Sequence, residues 1–140
     1  NYKKVSLGLI AEANKNSLDF FAPSLGLVLN FAAGKKVALG TKLYLSYDIL
    51  EKNNQFYTLE TLGLFRFYIN SFSGKPTSGF FLELQVGSSI LFVNSEVLSI
   101  FNFGGCSGYK ITIGKFFLES EFRVGYAYLV GAGINLGFLF

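Results

Sequence analysis

Apolar and other residues alternate with a period of two along most of this chain. From Val37, one parity reads Val37, Leu39, Thr41, Leu43, Leu45, Tyr47, Ile49, and the other Ala38, Gly40, Lys42, Tyr44, Ser46, Asp48, Leu50. Successive side chains of a strand point to opposite faces, so this pattern predicts strands with one apolar and one polar face. The spacing predicts strands over Lys4–Ala13, Pro23–Ala32, Val37–Leu50, Phe56–Ile69, Gly79–Val93, Leu98–Ile113, Phe116–Tyr128 and Ala132–Phe140. Eight short strands in 140 residues predict a single all-β domain over 1–140, an eight-stranded antiparallel up-and-down barrel closed on itself.

The connections carry turn chemistry. Ala33-Gly34-Lys35-Lys36 reads as a tight turn, Glu51-Lys52-Asn53-Asn54 and Asn94-Ser95-Glu96 as polar loops, and Asn70 to Ser78 as a longer turn. Gly114-Lys115 reads as a two-residue hairpin, with Gly supplying positive φ. Pairing Ile113 with Phe116 then sets Lys110 opposite Glu119, Gly108 opposite Glu121 and Cys106 opposite Arg123. A register that opposes Lys to Glu is an independent check on the hairpin. A matching register for the fourth and fifth strands places Arg66 near Glu83. The run Gly104-Gly105-Cys106-Ser107-Gly108 reads as a bulge or tight bend.

Alternation alone does not say which face is inside. In a soluble lipocalin-like barrel, the apolar parity lines a ligand cavity; in a lipid-embedded barrel, it faces out. The polar parity holds Gly8, Gly26, Gly40, Gly87, Gly104, Gly108, Gly125, Gly133 and Gly137. A water-facing surface has no use for so many glycines, whereas the crowded interior of a narrow barrel does. Aromatic residues of the apolar parity also gather at the strand ends. Phe31, Phe67, Phe80, Tyr109, Phe116, Phe138 and Phe140 lie at one rim, and Phe21, Tyr47, Tyr57, Phe92, Phe101, Tyr126 and Tyr128 near or beyond the other. Paired aromatic belts mark the two interfaces of a membrane barrel. The pattern therefore predicts a barrel in lipid.

Composition narrows the function. The chain is 51% hydrophobic, but no apolar run approaches the roughly 18 residues of a spanning helix. A net charge of +3 gives no reason to expect nucleic acid. One cysteine excludes an internal disulfide or a cysteine metal cluster, and no cofactor is expected. No histidine is present, so Ser–His or Cys–His nucleophilic catalysis is not available and an enzyme is not expected. The start at Asn1 without Met fits a processed or trimmed N-terminus.

The whole pattern resembles the small eight-stranded outer-membrane barrels of diderm bacteria, the OmpA transmembrane-domain and OmpX type. Its most specific element is Ile134, Leu136, Phe138 and Phe140, alternating up to a terminal Phe. This resembles the signal by which the outer-membrane assembly machinery recognises a last strand. Leu64-Phe65-Arg66-Phe67-Tyr68 is similar to the Arg-aromatic strand of many such proteins. The resemblance implies location in the bacterial outer membrane, with the lipid bilayer and the assembly machinery as partners. It also implies long outer loops, from which this chain departs.

On the polar parity sit Glu12, Lys42, Asp48, Glu60, Arg66, Glu83, Lys110, Glu119, Glu121 and Arg123. In so narrow a lumen they are expected to form an ion-pair and hydrogen-bond network. The acid excess points to a protonated or water-facing carboxyl, with Glu119 and Glu121 beside Arg123 as candidates. Cys106 lies on the same parity, where a basic neighbour or simple packing would account for it. Lys3, Lys4, Lys35, Lys36, Lys75 and Lys115 form a basic set at the expected periplasmic rim, suited to anionic headgroups or an acidic partner. Gly63 and Gly105 are small residues on the lipid-facing parity, candidates for a docking face. The expected function is a structural or accessory membrane barrel, or a subunit of a larger outer-membrane complex. The alternative is a narrow channel or hydrophobic-ligand carrier, with Leu62, Leu64, Phe81, Leu91 and Phe117 as an apolar lumen pocket or a packed plug.

Overall fold

The structure, a computed structural model, describes residues 5–16, 21–49, 55–69, 78–93, 96–126 and 128–140. Its strands are β1 (Val5–Asn16), β2 (Phe21–Ala32), β3 (Val37–Ile49), β4 (Gln55–Tyr68), β5 (Gly79–Val93), β6 (Glu96–Ile113), β7 (Phe116–Tyr126) and β8 (Tyr128–Leu139). Each strand pairs antiparallel with the next, and β1 pairs with β8 to close the barrel. The seam extends to Val5 and Phe140, which exchange backbone hydrogen bonds of 3.3 and 2.7 Å.

Backbone pairing runs past the apolar alternation at several ends. β1 continues to Asn16, β6 takes in Glu96, and β8 begins at Tyr128 rather than Ala132. Polar residues end the apolar pattern in β1 and β6 without ending the ladder, and the early start of β8 follows from β1, whose Lys15 and Asn16 pair with Val130 and Tyr128. The β6–β7 hairpin has Ile113 opposite Phe116, Lys110 opposite Glu119 and Cys106 opposite Arg123, and Gly114 turns it at φ 60°. Arg66 lies opposite Glu83. The glycine run in β6 corrects the expected bulge or bend. Gly104, Gly105 and Cys106 stay in unbroken register with Gln85, Leu84 and Glu83 on one side and with Gly125, Val124 and Arg123 on the other. The run is ordinary strand, thinned where neighbouring side chains need the space.

The register also fixes the stagger. Opposed residues lead from Val5 through Phe31, Leu39, Phe65, Leu84, Gly105, Val124 and Val130 back to β1 at Lys15, ten residues on. Such a stagger over eight strands requires a tilt of about 40° and leaves a lumen only wide enough for side chains. One rim is level, while the other is not. β6 pairs with β5 as far as Glu96, opposite Val93, but with β7 only as far as Phe103, opposite Tyr126. Among the described residues, Glu96 to Phe101 are paired on one side alone.

The two faces are inverted relative to a barrel in water. Leu84 is 65% exposed, Phe116 59% and Leu25 56%, whereas Arg66, Lys42 and Glu119 are fully enclosed. The inner glycines are there for space. A Cβ on Gly87 would lie 1.8 Å from the Thr61 carbonyl oxygen, and one on Gly108 1.9 Å from that of Ser120, with the Phe81 ring next.

Overpacking of this kind costs about 1–3 kcal/mol or more. Gly87→Val is therefore expected to lower the urea midpoint in detergent micelles strongly. Gly34→Ala, in a turn with nothing within 4 Å, is expected to leave it unchanged.

Candidate functional site

Most of the buried polar side chains among the described residues fall into two groups inside the lumen. The first is centred on Arg66 of β4, with Lys42 of β3 beside it. Arg66 Nε donates to Glu83 Oε1 at 2.8 Å and Nη1 to Glu119 Oε2 at 2.7 Å, while Nη2 reaches Glu121 Oε1 at 3.4 Å. Its guanidinium lies 3.8 Å from the centre of the Phe81 ring, a cation–π contact in a desolvated place. Lys42 Nζ donates to Glu83 Oε2 at 3.0 Å and to Glu121 Oε2 at 2.8 Å. Gln85 donates to Glu83 Oε2 at 2.7 Å and Asn135 to Glu119 Oε1 at 3.3 Å. Lys110 Nζ stands 3.7 Å from Glu119 Oε2 and 4.5 Å from the Phe117 ring centre.

The second group is centred on Arg123 of β7. Its Nη1 donates to Glu60 Oε1 at 2.8 Å and its Nε to Asn14 Oδ1 at 3.3 Å. Nε also lies 3.1 Å from Glu12 Oε1, a charge contact in which no N–H is aimed at that oxygen. Tyr44 donates its hydroxyl to Glu12, and Asn102 donates to Glu60 Oε2 at 2.6 Å and to Ser89. Asn14, Ser24 and Ser46 continue the chain of hydrogen bonds at 2.9 and 2.6 Å. Ile10, Val28, Tyr44, Leu62 and Leu64 pack together inside the same barrel.

Some sequence expectations are corrected here. Glu119 and Glu121 are not companions of Arg123; they belong to Arg66, Lys42 and Lys110, while Arg123 turns to Glu12 and Glu60. Cys106 has Arg123 as its register partner, but its thiol lies 3.8 Å from Glu121 Oε2. Long side chains leave their own rung, so strand register alone does not choose their partners. Asp48 stands in β3 opposite Phe56, and its side chain lies outside the described residues. Tyr44, Gln85, Asn102 and Asn135 belong to the network as well, although they are not among the charged residues of the polar parity. Their inward parity was the signal that could have found them. Of the apolar lumen set, Leu62, Leu64, Phe81 and Phe117 are buried and Leu91 is half-buried. A cavity of about 10 Å³ lies beside Glu60, Gln85, Asn102 and Arg123, room for about one water.

Ile134, Leu136 and Phe138 are exposed on the outer face of β8, opposite Ala11, Leu9 and Leu7 of β1, and Phe140 is exposed just beyond it. The Phe138 ring packs 5.0 Å from that of Phe116. Lys35, Lys36 and Lys115 are exposed on turns at the level rim, whereas Lys3, Lys4 and Lys75 lie outside the described residues. Gly63 and Gly105 face outward with room for a Cβ, whose nearest atom would lie in ordinary contact at 3.5 and 3.7 Å respectively.

A closed eight-stranded sheet, apolar outside and ion-paired inside, is a transmembrane β-barrel. Its fold is that of small outer-membrane barrels. The chain is similar to the attachment invasion locus protein Ail of Yersinia pestis, with TM-score 0.63, 13% identity and 99% and 97% of the two chains covered. It is similar to Neisserial surface protein A, with TM-score 0.65, 10% identity and 96% and 93% covered. It is also similar to the N-terminal β-barrel domain of Pseudomonas aeruginosa OprF, with TM-score 0.57, 18% identity and 99% and 98% covered. No protein-family model matches the chain, and no curated protein matches it.

Removing one partner of a buried ion pair costs about 3–5 kcal/mol, because the other charge is left uncompensated. Arg66→Met is thus expected to lower the stability of the refolded barrel by that order, measured by urea unfolding in micelles. Arg66→Met combined with Glu119→Gln is expected to recover part of the loss.

Proposed function

We propose that this protein is an integral barrel of the bacterial outer membrane, acting as a structural or accessory component or a subunit of a larger outer-membrane complex. The observation that carries this reading is the lumen. Five carboxylates and four cations among the described residues are held in the barrel by direct contacts, and apolar side chains take up the space between them. This set acts as a staple that fixes one packing of the interior. A site for catalysis has no support in the residue set, which lacks histidine.

On this reading the rim bearing Lys35, Lys36 and Lys115 is periplasmic and meets anionic headgroups. Ile134, Leu136, Phe138 and Phe140 are the part read by the assembly machinery. A partner is supported by the uneven opposite rim. There Val97, Leu98 and Phe101 are exposed on a strand segment with one unpaired edge, the chemistry that accepts an added strand.

Two measurements test the reading. In planar bilayers the refolded barrel is expected to give no stepwise conductance; reproducible steps would turn the assignment to the narrow-channel alternative. In cells, a photocrosslinking amino acid at Val97 is expected to give a discrete adduct that the same probe at Leu29 does not. Equal labelling from both positions would remove the case for a partner.

A further inference from the structure

We infer that one ordered water, held at the β6–β7 wall, joins the two charge groups of the lumen into a single network by bridging Gln85 and Glu60 beside Arg123. The site is the cavity of about 10 Å³ lined by Glu60, Gln85, Asn102 and Arg123 on the lumen side and by Phe103 and Val124 on the other. It lies at the rung where Gly104 and Gly125 stand opposite each other, so neither strand brings a side chain into the space. Size and charge choose the occupant. A volume of that order takes about one water. A cation is repelled by Arg123 and an anion by Glu60, and these two groups lie 2.8 Å apart. The site therefore suits a neutral molecule that both donates and accepts. A buried water needs two to four polar partners, and the four polar side chains of the lining are each no more than 5% exposed.

The hydrogen bonds follow from what the lining side chains already hold. Gln85 donates its amide to Glu83 Oε2 at 2.7 Å, and among the described residues no donor meets its carbonyl oxygen. Glu60 Oε1 accepts from Arg123 at 2.8 Å and Oε2 from Asn102 at 2.6 Å, and each carboxylate oxygen has lone pairs for two donors. Because the cavity is about one water wide, one molecule reaches both residues. It donates one proton to Gln85 Oε1 and the other to Glu60, with its oxygen turned to the Arg123 guanidinium. The consequence lies in what this connects. Glu83 is held by Arg66 and Lys42, and Glu60 by Arg123. Gln85 belongs to the first group through Glu83 and borders the second through the cavity. The water makes the step between them, so a charge moved in one group is felt in the other. The Gly104–Gly125 rung is next to Phe103–Tyr126, where β6–β7 pairing ends, which gives the molecule a short route from the uneven rim.

The test is NMR of the refolded barrel in micelles, reading cross-relaxation between water and the protons of Gln85, Gly104 and Gly125. A held water gives laboratory-frame and rotating-frame cross-peaks of opposite sign, whereas passing water gives the same sign. Wild type is expected to show the held-water signature at all three residues. Gln85→Met, of similar volume but without the amide, is expected to lose it at Gly104 and Gly125. Absence of the signature from wild type would overturn the proposal, as would its persistence in Gln85→Met. Urea midpoints of Glu83→Gln, Glu60→Gln and the double variant test the bridge. In the wild-type background the double variant is expected to shift the midpoint by less than the two single shifts together. In the Gln85→Met background the shifts are expected to add. Direct charge coupling between Glu83 and Glu60 would survive there, so non-additivity in that background removes the bridge, and so does additivity in wild type. Heat-modifiable gel mobility, run on every variant, identifies any that fails to close, and the wild-type spectrum decides the site without it.

Discussion

Hydrocarbon offers a peptide group no hydrogen-bond partner, and the rest of this structure follows from that one constraint. A sheet in lipid must close, and here β1 meets β8 from Ser6–Leu139 to Asn16–Tyr128. Closing eight strands with a stagger of ten residues sets a narrow bore. The bore in turn decides the residue sizes inside. Where Phe81 or Tyr44 enters the lumen, a neighbouring position is reduced to a hydrogen atom, and Gly108 against the Phe81 ring is the plainest case. The outward residues face the reverse demand, being free in size and restricted in polarity.

The charges inside are the second consequence. In a medium that cannot solvate them, Arg66 and Arg123 must each collect more than one carboxylate, and each does. Dividing the ion pairs into two groups with neutral hydrogen bonds around them leaves few buried polar atoms unserved among the described residues. Asn30 is one of the exceptions, its amide enclosed against Gly40. Such an interior resists rearrangement, because moving one member exposes several others.

Most of the architecture was legible because a barrel wall is a local object. Period two, the Gly114-Lys115 turn and the opposition of Lys110 to Glu119 are all set within a few residues of the chain. The lumen contacts were less legible. Arg123 reaches Glu12 and Glu60, which come from strands remote in sequence, and this depends on the stagger accumulated around the whole circuit. The bulge expected in Gly104–Gly108 failed for a related reason. Glycine in a strand pattern signals backbone shape, whereas at Gly104 it answers the approach of Gly125 from the neighbouring strand. The polarity of Glu96 points to a loop, but outside the apolar band a strand is free to be polar, and β6 begins there.

The contact between Arg123 and Glu12 crosses from β7 to β1, over the strand that seals the barrel. It joins residues more than a hundred positions apart, as does the ladder between Val5 and Phe140. Neither exists until the last edge is shut. A barrel opened at this seam would lack one carboxylate contact of Arg123 and would offer two bare strand edges to the lipid. The seam thus gives assembly the character of a latch. To part β1 from β8 is to give up the ladder and, with it, a charge contact that lies inside the lumen.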